Sequence, residues 1–238
     1  MINIYSLIQR TIELKLLLNI SFGRVLIFHQ VDERQNWKNN NLSITYNSFE
    51  ILIESLLEKE HKFISLHDLE TANKLTSNTI VLTFDDGYAC LHEFVAQYLI
   101  NKNIPFAIFS TIDFLNRPMY LTGEQLKILS RHNLCTVGAH SVSHPILRKL
   151  NDLQSKDEIV NSKSFLEEIL TKDVEYFAYP YGSVYAVSNR DINYVKETGY
   201  KLAFSTINGC LNELSLKERW FLPRINVNEL NYNKIGGK

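Results

Sequence analysis

Thr79-Ile80-Val81-Leu82-Thr83-Phe84-Asp85-Asp86-Gly87-Tyr88 runs six apolar or β-branched residues into two adjacent carboxylates and a glycine. The first part reads as a short buried strand. Charge at the end of such a strand is costly to bury unless a metal or hydrogen bonds offset it. Gly87 permits a sharp turn directly after the acids. On its own the stretch would also fit a turn with two solvated aspartates; a second motif downstream weighs against that.

Outward from this strand, the chain alternates short apolar runs with helical patterns. Strands are expected at 25–28, ending in His29, then at 63–64, 106–109, 134–138, 176–178, 201–205 and 220–227. Helices are expected over 49–61 with Ser48 as cap, from Ser65 to about Asn73, over 91–102, from Thr122 through Ser130, over 152–171, and from Ser188 to Thr198. Apolar strands alternating with helices predict an α/β fold, a parallel sheet covered by helices, with room for about seven such units. Barrels of this kind gather their chemistry at the C-terminal strand ends. His29, Asp85, Asp86, His140 and Tyr181 all fall there.

Composition narrows the function classes. The 238 residues suit one domain, and 45% hydrophobic against 21% charged residues allows a sizeable core. With 25 basic and 26 acidic residues there is no surplus that points to nucleic acid. Cys90, Cys135 and Cys210 lie far apart, which reads as free thiols rather than a disulfide framework or thiolate zinc site. Residues 1–24 are set apart from a domain over 25–238. Within them, 4–20 read as an amphipathic helix with Ser6, Gln9, Arg10 and Glu13 on one face. It is expected to pack on the domain, with docking on a membrane surface or a partner as the sharper alternative. The chain start lacks the pattern of a secretory signal, and a cytoplasmic location is expected.

The second motif is His140-Ser141-Val142-Ser143-His144-Pro145. Two histidines four apart can face one ion, and a carboxylate from a neighbouring strand completes a His2Asp set. Three protein ligands leave a coordination position open, as in catalytic rather than structural sites. One aspartate can ligate while its neighbour stays free as a base.

Thr83-Phe84-Asp85-Asp86-Gly87 and His140-Ser141-Val142-Ser143-His144 resemble the first two motifs of the polysaccharide deacetylases of carbohydrate esterase family 4, and Phe177-Ala178-Tyr179-Pro180-Tyr181-Gly182 resembles the third. The resemblance spans roughly 25–227. It implies a distorted (β/α) barrel of about seven strands and removal of N-acetyl groups from amino sugars in glycans. It also implies one divalent metal, zinc foremost, with nickel, cobalt or iron suited to the same ligands. Carried over, Asp85 is the base; Asp86, His140 and His144 are the metal ligands; Pro180 and Tyr181 line the groove, with the Tyr181 N–H on the oxyanion.

The chain departs from the commoner family pattern. Ala178 stands where many members have arginine, Phe204 is nearest to the late tryptophan, and no Leu-x-His follows near the C-terminus. The Phe177-Ala178-Tyr179-Pro180-Tyr181-Gly182 form and the early strand ending in His29 are similar to the branch that includes biofilm poly-N-acetylglucosamine deacetylases, in which the acid histidine precedes the Asp-Asp motif. His29 is therefore the expected acid, kept protonated by a neighbouring carboxylate. Arg224, in Leu222-Pro223-Arg224-Ile225, is either a surface residue or the cation missing at Ala178, pairing with Asp85. The metal would acidify water and polarise the carbonyl while Asp85 takes the proton. Two other readings stand beside deacetylation: hydrolysis of another non-peptide amide, and a catalytically silent glycan-binding protein.

Overall fold

Apolar runs bounded by turn residues become the strands. The computed structural model describes residues 23–32, 42–72 and 75–237. The amphipathic segment expected over 4–20 lies outside them. The strands are β1 Arg24–Phe28, β2 Gln30–Val31, β3 Ser43–Ile44, β4 Lys62–Phe63, β5 Thr79–Asp86, β6 Phe106–Ser110, β7 Cys135–Ala139, β8 Tyr176–Ala178, β9 Leu202–Phe204 and β10 Ile225–Asn226. The main sheet has the order β10-β1-β5-β6-β7-β8-β9, all neighbours parallel, with β4 beside the start of β5. β2 and β3 form a separate pair.

The helices are α1 Tyr46–Glu58, α2 Leu66–Thr71, α3 Ala96–Asn101, α4 Gly123–Ser130, α5 Asp152–Leu170, α6 Asn189–Glu197, α7 Glu213–Lys217 and α8 Tyr232–Gly236. Reciprocal capping boxes start α2, α4, α5 and α6, from Ser65, Thr122, Asn151 and Ser188. The cap of α1 is Thr45 rather than Ser48: the Thr45 side chain accepts from Ser48 N, and the Ser48 hydroxyl donates to Glu229. No helix among the described residues is long and apolar enough to cross a membrane.

Both faces of the sheet are buried, so alternate strand residues serve two cores. Leu26, Leu82 and Ile108 pack with Leu52, Leu99 and Leu126 of the surrounding helices. Val25, Val81, Ala107, Phe109, Ala178 and Phe204 fill the concave side. The sheet curls into a distorted (β/α) half-barrel around them, the fold class expected from the sequence. Gly138 on β7 makes room for Phe109, since a Cβ there would lie 2.5 Å from the ring.

The single strand expected over 220–227 is instead divided. Leu222 bridges Phe204 of β9, while Ile225 and Asn226 pair with β1. Pro223, which has no N–H to give a ladder, lies where the partner changes. One short segment thus touches both edges of the curled sheet and carries Arg224 between them.

Candidate active site

Parallel register brings the polar strand ends to one rim. Phe28 pairs with Phe84, so His29 follows β1 where Asp85 lies on β5. Asp86 pairs with Ser110 of β6, and Ser110 with Ala139 of β7, so His140 emerges one residue later. Asp86 itself has φ +70°, a conformation that non-glycine residues rarely take and that clusters at functional sites.

The two neighbouring aspartates sit in different environments. Arg224 and Asp85 are 0% and 1% exposed and form a two-pronged pair, Nη1 to Oδ1 at 2.8 Å and Nη2 to Oδ2 at 2.7 Å. The guanidinium also donates to Thr83 Oγ1 at 3.2 Å and to the Ser205 carbonyl at 2.9 Å. Phe109 and Phe204 flank it at 5.7 and 5.9 Å. Of the two placements open for Arg224, the surface one is excluded. Burial alone would raise the Asp85 carboxyl; the Arg224 charge and hydrogen bonds outweigh it and hold the group down at about 2.

Asp86 has no such partner. Its Oδ1 is buried and accepts no hydrogen bond. His140 Nε2 lies 3.5 Å and His144 Nε2 3.4 Å from that oxygen. Burial, and after it the Asp85 charge, push the Asp86 carboxyl up to about 7. His140 Nδ1 is 2.7 Å from the Ala178 carbonyl, which can only accept, so Nδ1 carries the hydrogen and Nε2 presents its lone pair. Burial drives His140 down to about 3 and also lowers His144, so both rings are neutral. One ligand atom from each of Asp86, His140 and His144 lies within 4.8 Å of the others. An orphaned carboxylate oxygen facing two neutral imidazole nitrogens fits a divalent ion with a preference for nitrogen and oxygen donors.

His29 is half-buried, and its Nδ1 has no hydrogen-bond partner. The expectation that a carboxylate keeps this ring protonated is overturned. Burial lowers it to about 4, outweighing the pull of Asp85, and the Arg224 charge acts in the same direction as burial. Pro180 is buried, whereas Tyr181 is 54% exposed and its ring centroid lies 4.8 Å from that of His144. Tyr181 has φ +59°.

Sequence reasoning missed the far side of this rim. Phe114 lies 5.6 Å from the His144 ring and continues into Tyr120 and Tyr88 at 4.7 and 4.8 Å. The available signal was position alone: residues 112–114 lie one residue past the end of β6.

The comparisons with known proteins agree with this architecture. A family model described as polysaccharide deacetylase matches residues 72–203. The polysaccharide deacetylase homologue YxkH of Bacillus subtilis (strain 168) is 21% identical over 189 residues, 78% of this chain. The chain spans 64% of that relative's length. The structure of IcaB from Ammonifex degensii superposes with a TM-score of 0.81 at 20% identity, covering 91% of this chain and 96% of IcaB. The Streptococcus pyogenes deacetylase PplD, solved with acetate, gives 0.76 at 19% identity over 88% of this chain and 94% of its own. Identity at this level shows a shared fold.

Proposed function

The chain belongs to the polysaccharide deacetylase family, and we propose on that premise that it hydrolyses the acetamide of an N-acetylated amino sugar in a glycan or glycan precursor. The observation that supports this reading most is the division between the two acids: Asp85 is fully engaged by Arg224, and Asp86 Oδ1 is orphaned opposite two imidazoles. A divalent ion held by Asp86, His140 and His144 would supply Lewis acidity for the carbonyl and for water. Asp85, kept ionised by Arg224, accepts the proton that water loses on attack. The Tyr181 N–H, on a backbone turned into the left-handed region, serves the developing oxyanion, and its exposed ring offers the sugar a surface.

Amide hydrolysis moves one proton from water to the departing nitrogen. Asp85 receives it, and His29 passes it on. His29 stands on the same rim as Asp85 and its Nδ1 has no protein partner, so a ring that is neutral at rest is open to take up a proton and hand it to the amine. His29→Ala should leave metal content intact and cut kcat on the amide by about 10²-fold or more. An activated acetyl ester, whose leaving group needs no proton, should lose far less. Equal losses on both substrates would make His29 structural.

Alanine at Asp86, His140 or His144 should weaken metal binding by more than the roughly 10–100-fold typical of losing an outer-shell partner. Metal uptake should also weaken as pH falls below about 7, because the raised Asp86 carboxyl must then release a proton to bind. Isothermal titration with zinc at several pH values checks both. Full activity in metal-free protein would overturn the reading. Acetate release across a panel of N-acetylated sugars and oligosaccharides tests the reaction and identifies the substrate.

A further inference from the structure

The loop between the two candidate histidine ligands is held in an unusual shape. Ser141 has φ +65° and His144 φ +61°, so two non-glycine residues within four adopt the left-handed region. Such backbone persists only where surrounding contacts over-determine it. Its start is tied to the strand layer: His140 N donates to the Ser110 carbonyl at 3.0 Å, and Thr111 Oγ1 donates to the His140 carbonyl at 3.1 Å. Its end is closed locally, with His144 N donating to Ser141 Oγ at 3.0 Å. The middle is held from outside, by a side chain of α5.

That side chain is Glu158. Its Oε2 accepts from both Val142 N and Ser143 N at 2.9 Å. Its Oε1 accepts from Ser143 Oγ at 2.6 Å. Two successive backbone N–H groups aimed at one oxygen form an anion-binding concavity, here filled from within the chain. Glu158 sits inside a helix of 19 residues that packs on α4, α6 and β7, so the carboxylate is presented from a rigid base. On the other side, the Val142 carbonyl accepts from Asp113 N at 2.9 Å, which leaves the turn little freedom to rotate.

We propose that Glu158 is a positioning residue for the metal centre, clamping the 141–143 turn so that His144 Nε2 stays beside Asp86 Oδ1 together with His140. This rests on the reading of Asp86, His140 and His144 as metal ligands. The clamp contributes geometry to a ligand that the strand layer does not hold: His140 directly follows β7 and has its own carbonyl partner, whereas His144 lies four residues out on the loop.

The test is titration of the metal-free full chain with zinc and, for its visible spectrum, cobalt. Wild type is compared with Glu158→Ala, Glu158→Asp and Glu158→Gln, and the melting temperature of each metal-free protein is measured alongside. Loss of the clamp should weaken metal binding by about 10–100-fold and alter the cobalt spectrum. Aspartate keeps the charge but withdraws it by one methylene, so it should fail with alanine, and it carries the test if the alanine variant does not fold. Glutamine keeps an acceptor for the two amides and a donor for Ser143 Oγ, so it should restore affinity to within about threefold. Wild-type affinity and spectrum in the folded alanine or aspartate variant would overturn the clamp alone. A wild-type protein that takes up no metal would overturn the metal-site reading and the clamp with it.

Discussion

Asp85→Asn is expected to lower kcat by about 10²–10⁴-fold while leaving the bound metal in place. The amide is nearly isosteric with the carboxylate but cannot take a proton from water. Asp85 is the acid of the pair that is engaged by Arg224, whereas Asp86 carries the orphaned oxygen facing the histidines. The substitution should therefore separate turnover from metal content, which no change at Asp86, His140 or His144 can do. Steady-state rates and metal analysis on the same preparation check it. A rate within a few-fold of wild type would place the base elsewhere.

Arg224→Met should be strongly destabilising. It strands the Asp85 carboxylate in a site that is 1% exposed. Removing one partner of a buried ion pair costs about 3–5 kcal/mol, because the remaining charge keeps its burial penalty and loses its counter-charge. At about 2–4 °C per kcal/mol for a chain of this size, melting should fall by on the order of 10 °C. Adding Arg224→Met to Asp85→Asn should cost less than Arg224→Met alone, since no charge is then left unpaired. The pH profile supplies a second readout. The folded Asp85 value is depressed, so the pair's stabilisation is present above the ordinary value of 3.8 and is lost as pH falls towards about 2. Without Arg224, burial dominates and the Asp85 value rises. The acid limb of kcat/KM should then move upward, a shift that loss of packing alone would not produce.

Several elements were legible before the fold was known because their signals are local. The strand of β5 is six residues of the right type followed by two acids and a glycine turn, and the capping box at Thr122 and the helix starts at Ser65 and Ser188 are read within four residues. Errors arose where two local readings competed. Ser48 and Thr45 are both competent caps, and only Glu229, arriving from near the C-terminus, draws the Ser48 hydroxyl away. The run 220–227 has strand composition throughout, yet it serves two different edges of the sheet and cannot form one ladder.

By itself the sequence determined the parallel α/β architecture and the set of polar residues at its C-terminal rim. Hydrophobic period and turn chemistry need only near neighbours, and parallel strands must then end on the same side. The tertiary structure alone decided what each of those residues experiences. Asp85 and Asp86 are chemically identical in sequence; they differ because Arg224, 139 positions away, reaches one and not the other. His29 is neutral because burial is a sum over the whole fold and exceeds the attraction of a single carboxylate. Glu158 reads as one more glutamate on a long helix, and only folding sets its carboxylate against Val142 and Ser143. Charge pairing and desolvation depend on distance through space, which residue spacing along the chain does not encode.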